Sequence, residues 1–307
     1  MQRKGISGPE MTVAFSKNCL LLLKLFLKMK SFLHILTFLF SAVILFSCEP
    51  GRDENGDYLF GVIQNPNTDG GGTSADRLLK RMTSHAMNDD TGEWEDSDIT
   101  YNYTNKKLVS YTENGGEPTL FTYNGSNKIS NLSSSRQNAD FEYSAGTLSK
   151  ITTTIAGFAT ITSNFTYTDA KLTKTISIQE YSVPIASKVY TETTYEYDGE
   201  NLVKANLRAG FYLPNGELEM NPETQTFSFE YDAMKNPYQL LPKEFILFLS
   251  GIAPQGAAYL SANNFTKFTN SVGGFSDITT YTYIYDEQNY PKEMKGEDNE
   301  STKFEYQ

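Results

Sequence analysis

From Asp76 onward hydrophobic and polar residues alternate in short bursts, and one pattern recurs. An aromatic residue, any residue and a tyrosine are followed five or six positions later by an apolar residue. The units are Tyr101-x-Tyr103 with Leu108, Phe121-x-Tyr123 with Ile129, Phe141-x-Tyr143 with Leu148, Phe165-x-Tyr167 with Leu172, and Tyr195-x-Tyr197 with Leu202. Phe229-x-Tyr231 then runs into Asn236-Pro237, Tyr283-x-Tyr285 is followed by Tyr290, and Phe304-x-Tyr306 comes last. Residues two apart share a strand face, so Phe121 and Tyr123 point one way and Thr122 the other. Turn formers follow each tyrosine, as in NGSN at 124–127, SAGT at 144–147 and DGEN at 198–201. Each unit therefore predicts a β-hairpin with one buried and one wet face. The unit starts lie 20, 20, 24, 30, 34, 54 and 21 residues apart, a repeat architecture.

The predicted fold is all-β, an antiparallel meander of repeated β-hairpins. About fourteen strands at about 4.8 Å spacing would make a very wide sheet, so strong twist or curling is expected. The aromatic faces should line its concave or covered side. The rhythm breaks between Pro237 and Ala262, around the apolar run Phe245 to Leu249. Pro242 before the run and Gly251 after it predict a short helical insertion near 242–250, with a buried strand as the competing reading. This insertion accounts for the spacing of 54.

Upstream, a mostly apolar run from Phe32 to Phe46 follows Lys30 and ends at Leu45-Phe46-Ser47-Cys48. Fifteen residues fall short of the roughly twenty that a membrane span requires, and the short basic flank suits a secretory signal. Met29-Lys30 would open a signal of ordinary length, so translation starting at Met29 is one reading and a long basic lead the other. The chain thus divides into a signal region at 1–47, a flexible tether at 48–75 and a β-repeat domain at 76–307. The tether has no periodicity; it opens on acids and ends near Gly70-Gly71-Gly72. Its Asp53-Glu54-Asn55-Gly56-Asp57 stretch lacks the full ligand spacing of a calcium loop and reads as solvated linker.

Charge and composition narrow the function. Of the 26 basic and 37 acidic residues, six and one precede Cys48, leaving 20 against 36, a net of −16. Such a surface repels phosphate backbones and offers no basic patch to anionic lipid. Nucleic acid is not an expected partner. Beyond Cys48 there is no further cysteine and His85 is the sole histidine, which excludes Cys/His zinc sites and Cys–His dyads from this part of the chain. A Ser-His-Asp triad would have to use His85, which sits in the strand-like RMTSHAM without nucleophile-elbow glycines. No catalytic residue, metal ligand or cofactor is expected.

The Leu45-Phe46-Ser47-Cys48 ending resembles the lipobox of bacterial lipoprotein signals. That resemblance implies cleavage before Cys48 and lipid attached to it, so Cys48 is the expected lipidation site and its acyl chains the expected membrane link. The acids after Cys48 resemble the surface-export signal of Bacteroidetes lipoproteins. The repeat units resemble YD-type repeats of the RHS class, with Tyr197-Asp198, Tyr231-Asp232 and Tyr285-Asp286 keeping the Tyr-Asp pair. The chain is more similar still to secreted Bacteroidetes lipoproteins of unknown function, which pair a YD-x-x-x-NP element with a later L-S-x-N-N element. Here these are Tyr231 to Pro237 and Leu260 to Asn264. The resemblance implies an outer-membrane lipoprotein on the cell surface or the periplasmic face, and carries no enzymatic role.

Three functions follow in order. The first is a surface binding module for a glycan or an envelope protein, with aromatic side chains stacking on the ligand. The second is a structural envelope component without a small ligand. The third is a carboxylate-based glycan hydrolase, for which Glu192 with Glu196, or Glu217 with Glu219, would share a strand face.

Overall fold

The computed structural model describes residues 77–87, 93–183, 186–252, 254–296 and 299–307. The signal region, Cys48 and the tether lie outside the described residues. Among the described residues the chain forms seventeen strands rather than about fourteen. These are β1 (Leu79–Met87), β2 (Trp94–Thr104), β3 (Lys107–Glu113), β4 (Thr119–Tyr123), β5 (Ile129–Ser133), β6 (Gln137–Ser144), β7 (Thr147–Ile155), β8 (Ala159–Thr168) and β9 (Lys171–Tyr181). They continue as β10 (Ser187–Asp198), β11 (Asn201–Tyr212), β12 (Leu218–Lys235), β13 (Asn263–Val272), β14 (Phe275–Thr280), β15 (Thr282–Tyr285), β16 (Pro291–Lys295) and β17 (Ser301–Tyr306). The excess has local causes. β1 precedes the first aromatic unit, and β14 and β15 are two parts of one strand bent at Tyr281, the first pairing with β13 and the second with β16.

Apart from β14 and β15, each strand pairs antiparallel with the next, and the sheet curls until β1 meets β17. Met82 lies opposite Ile99 on β2 and opposite Phe304 on β17. The expected meander is therefore a nearly closed barrel. All the Tyr-Asp-type turns fall at one end, the turn end. Type I′-like backbone serves some of them: Ala145 and Gly146 have φ of 49° and 78°, and Asp169 and Ala170 have φ of 51° and 62°.

A circuit this wide would leave an open channel if nothing filled it. The insertion fills it. Helix α1 (Lys243–Ile252) lies between two 3₁₀ segments, Pro237–Leu240 and Pro254–Leu260. Phe245, Ile246, Leu247, Phe248 and Leu249 are all at most 2% exposed. A helix apolar on every side must be enclosed, and each such side chain contributes about 1.5–3 kcal/mol on leaving water. Phe245 meets Phe121 edge-on, with ring centres 5.2 Å apart, and Phe248 faces Phe141 at 6.3 Å. The first aromatic of each unit thus points inward, onto the plug.

The outward face is polar. Lys150 pairs with Glu142 at 2.6 Å, Lys188 with Glu180 at 2.6 Å, Lys204 with Glu196 at 3.0 Å and Lys267 with Glu230 at 2.6 Å, each across neighbouring strands. A bilayer-spanning barrel carries apolar residues outside and polar ones within. This barrel has the reverse arrangement, which suits a wall surrounded by water.

Candidate functional surface

The repeat tyrosines, the first candidates for ligand stacking, are engaged in structure. Each aromatic unit carries a β-bulge just before its second aromatic, as between Asn102 and Tyr103, Thr122 and Tyr123, and Glu142 and Tyr143. The bulge re-aims the tyrosine along the sheet. In several units its hydroxyl then donates to a carbonyl of the preceding hairpin: Tyr103 to Leu79 at 2.9 Å, Tyr123 to Leu108 at 2.7 Å, Tyr143 to Ile129 at 2.6 Å and Tyr231 to Leu202 at 2.5 Å, whereas the Tyr167 hydroxyl is buried without a partner and that of Tyr285 donates to Asp232. Burial pushes the phenols of Tyr143 and Tyr231 above their usual range, so they stay protonated donors. Lysines cover several of these rings, with Lys107 Nζ 3.7 Å from the Tyr123 ring centre.

The two asparagine-bearing motifs also act in the fold. Buried Asn236 donates to the carbonyls of Ser261 at 2.7 Å and Tyr259 at 3.3 Å, and its side-chain oxygen accepts from Tyr238 N at 2.9 Å. Ser261 Oγ accepts from Leu202 N at 2.9 Å and donates to the Tyr231 hydroxyl at 2.9 Å. Asn264 donates to the Lys235 carbonyl at 3.0 Å. The motifs therefore clasp the two ends of the insertion where it leaves and rejoins the wall.

The two candidate carboxylate pairs are engaged in structure. Glu192 and Glu196 share a face of β10, as expected, but each is held in the outer ion-pair ladder. Glu192 lies 3.8 Å from Lys174 and 3.9 Å from Arg208, and Glu196 lies 3.0 Å from Lys204. Glu217 sits in the β11–β12 turn, where Asn215 Nδ2 donates to it at 2.8 Å, and so does not share a strand face with Glu219. His85 stacks on Trp94, with ring centres 4.9 Å apart, and its Nδ1 is 2.6 Å from Asp96 Oδ1. The neighbouring Ser84 hydroxyl is engaged with Thr302 at 3.0 Å. Among the described residues no group of three or more His, Cys, Asp or Glu is placed to hold a metal.

Two cavities among the described residues are water-sized. One cavity of about 20 Å³ lies beside Asn236, Tyr238 and Asn264, and another of about 10 Å³ beside Thr147, Tyr167 and Glu244. Neither has room for more than a water.

What remains is the end opposite the turns. The strands differ in length: β4 and β5 have five residues each, β11 twelve and β12 eighteen. The tall wall overreaches the short one, so its inner rows emerge from the core. Of the large apolar side chains exposed among the described residues, all but Leu120 and Ile284 lie at or near this end, on or beside β1, β2, β9, β11, β12, β13 and β14. Phe275 is 82% exposed and Phe211 48%. Phe211 continues the inward row of Ala205, and Phe275, opposite Val272, continues that of Phe268. Glu219, opposite Phe211, and Asp277, opposite Asn270, add negative charge to the same surface. This end escaped the sequence reading because exposure here depends on unequal strand heights.

No family model matches the chain, and no curated protein matches it. Among solved structures it is similar to a porin-like protein from Bacteroides vulgatus ATCC 8482, at 12% identity over 75% of this chain and 98% of that one, with a TM-score of 0.48. It is also similar to a porin-like protein from Bacteroides uniformis ATCC 8492, at 14% identity over 75% and 96%, with a TM-score of 0.47.

Proposed function

We propose that the chain is a non-catalytic cell-envelope lipoprotein whose barrel is a surface binding module for a glycan or a protein. The observation that carries this reading is the position of the exposed apolar residues relative to the start of the domain. Arg77 enters at the turn end, where it pairs with Asp286 and lies over the Tyr306 ring. The apolar end is the opposite one. A lipid on Cys48 would anchor the chain on the side of Arg77 and leave Phe211 and Phe275 directed away from the membrane. The carboxylates beside them favour a neutral or basic ligand over an anionic one.

The test is binding to arrayed glycans and recovery of envelope proteins, comparing the natural chain with Phe211→Ser/Phe275→Ser. Loss of binding at an unchanged melting temperature is expected. Binding that survives in the double variant overturns the assignment of this end. Cys48→Ala should stop acyl labelling and release the protein from the membrane fraction; retention through residues 32–46 would instead show a transmembrane anchor.

The filled interior favours a second reading, a structural component with no small ligand. It gains if envelope proteins are recovered and no glycan binds.

A further inference from the structure

The tall wall ends in an inner face that is apolar and acidic together. Phe211 on β11 and Phe275 on β14 stand three strand spacings apart, about 14 Å, and both continue inward rows. The same face carries Glu219, opposite Phe211, and Asn270, which lies opposite Phe227 on one side and Asp277 on the other. Gln225 Nε2 donates to Asn270 Oδ1 at 2.9 Å and ties the inner side chains of β12 and β13 together. The Glu223 carboxylate rests against the β13–β14 turn, with Oε1 3.1 Å from the point where a Cβ on Gly273 would stand.

The two sides of this wall differ in charge balance. On the outer face carboxylates are matched: Glu180 with Lys188 at 2.6 Å, Glu192 with Arg208 at 3.9 Å and Glu230 with Lys267 at 2.6 Å. On the inner face, among the described residues, neither Glu219 nor Asp277 has a lysine or arginine within ion-pair distance. Unmatched carboxylates beside apolar, low-dielectric surface concentrate negative potential, and the excess of acid over base along the chain gives the longer-range field the same sign.

We infer that this face takes a basic, extended peptide segment of another protein. The inference rests on the reading of this end as a binding face and names its ligand. In an extended peptide, side chains four positions apart share a face and stand about 13 Å from each other, which matches the separation of Phe211 and Phe275. Apolar side chains at those two positions meet the phenyl rings. A lysine or arginine midway between them shares their face and meets Glu219 and Asp277, where nearby rings add cation–π attraction. A neutral glycan brings hydroxyls to these carboxylates but no counter-charge, and phenyl rings have no polar tip to pair with them. An acidic glycan is repelled.

The test is fluorescence anisotropy on the full-length protein with the labelled, end-capped peptide Lys-Phe-Thr-Lys-Thr-Phe-Lys and its counterpart with glutamate in place of each lysine. The lysine peptide should bind and the glutamate peptide should not. Glu219→Gln/Asp277→Asn should weaken binding at least about tenfold with an unchanged melting temperature. Raising salt from about 0.05 to about 0.3 M should weaken the natural complex far more than what remains in that variant. No binding of the lysine peptide, equal binding of both peptides, or binding undiminished in the carboxamide variant overturns the inference. Glycan binding lost in Phe211→Ser/Phe275→Ser but kept in the carboxamide variant also overturns it, while leaving the binding face itself standing. Self-association that Phe211→Ser/Phe275→Ser abolishes would overturn it in favour of a second copy of the chain.

Discussion

The Tyr123 hydroxyl donates to the Leu108 carbonyl at 2.7 Å, tying its hairpin to the one before it. Leu108 is the apolar residue of its own repeat unit, and the bulge between Thr122 and Tyr123 makes the reach possible. Such a bond gives Tyr103, Tyr123, Tyr143 and Tyr231 a use for the hydroxyl, while the Tyr167 hydroxyl is buried without a partner. The first ring fills the core, with Phe121 only 7% exposed. The second lies half-buried at the core's margin and supplies a donor.

Substitutions along this unit should separate the roles. Phe121→Ala should cost about 3–5 kcal/mol, because it opens a cavity against Phe245. Tyr123→Phe should cost about 1 kcal/mol, the net value of one hydrogen bond. Thr122→Ala, on the wet face, should stay within about 0.5 kcal/mol. Urea unfolding of the three variants checks the order; equal midpoints would contradict the face assignment.

The clasp around the insertion makes a second prediction. Asn236→Ala removes two donated bonds and one accepted bond at a buried position, leaving Gln239 Nε2 as the side-chain donor to the Ser261 and Tyr259 carbonyls. A loss of about 1–3 kcal/mol is expected from the removal of these buried bonds. The helix should loosen before the wall does. Exchange of the α1 amides should therefore quicken more than that of β6 to β9.

The close approach of α1 to the wall makes a third. At Gly251 an added Cβ would stand 2.7 Å from Ser163 Oγ and 3.0 Å from Ser163 Cβ. The Gly251 carbonyl is also held by Ser177 Oγ at 3.1 Å. Gly251→Ala should cost about 1–3 kcal/mol through this overpacking, although alanine is the better helix former. Pairing it with Ser163→Gly should recover part of the loss, measured as melting temperature. Unchanged stability of Gly251→Ala alone would show that the helix is not seated this tightly.

These contacts show which levels of the fold were legible in the residues. The spacing of Phe121, Tyr123 and Ile129 displays hairpins because a hairpin is local: period-2 alternation, a turn and a return. The helix was legible from Pro242 and Gly251, and its all-round apolar surface already required enclosure. Its place inside the sheet was not legible, because that depends on β1 meeting β17, a pairing between residues more than two hundred positions apart. The bulges were also hidden. They insert Ser130 or Ser149 into strands whose alternation looks nearly regular, and only the partner strand reveals the extra residue. The exposed end was hidden for the same reason, since Phe211 and Phe275 read as ordinary inward strand positions until the heights of their neighbours are known.

Glu113 makes the last prediction, on pH. It ends β3 and shares its face with Tyr111. Burial raises its carboxyl from 4.5 to about 7, while the Arg136 guanidinium pulls partly the other way. The folded chain therefore holds a proton that the unfolded chain has released between pH 4.5 and 7. Stability from this group is fully present below about 4.5 and is lost as pH rises through 7. Solvent on the exposed side reduces the ideal linkage value, leaving about 1–2 kcal/mol. Glu113→Gln keeps the neutral shape and removes the titration. The variant should unfold at higher urea than the natural chain at pH 8 and at nearly the same urea at pH 5. A natural chain whose stability rises between pH 5 and 8 by the same amount as that of the variant would show that Glu113 is ionised in the fold.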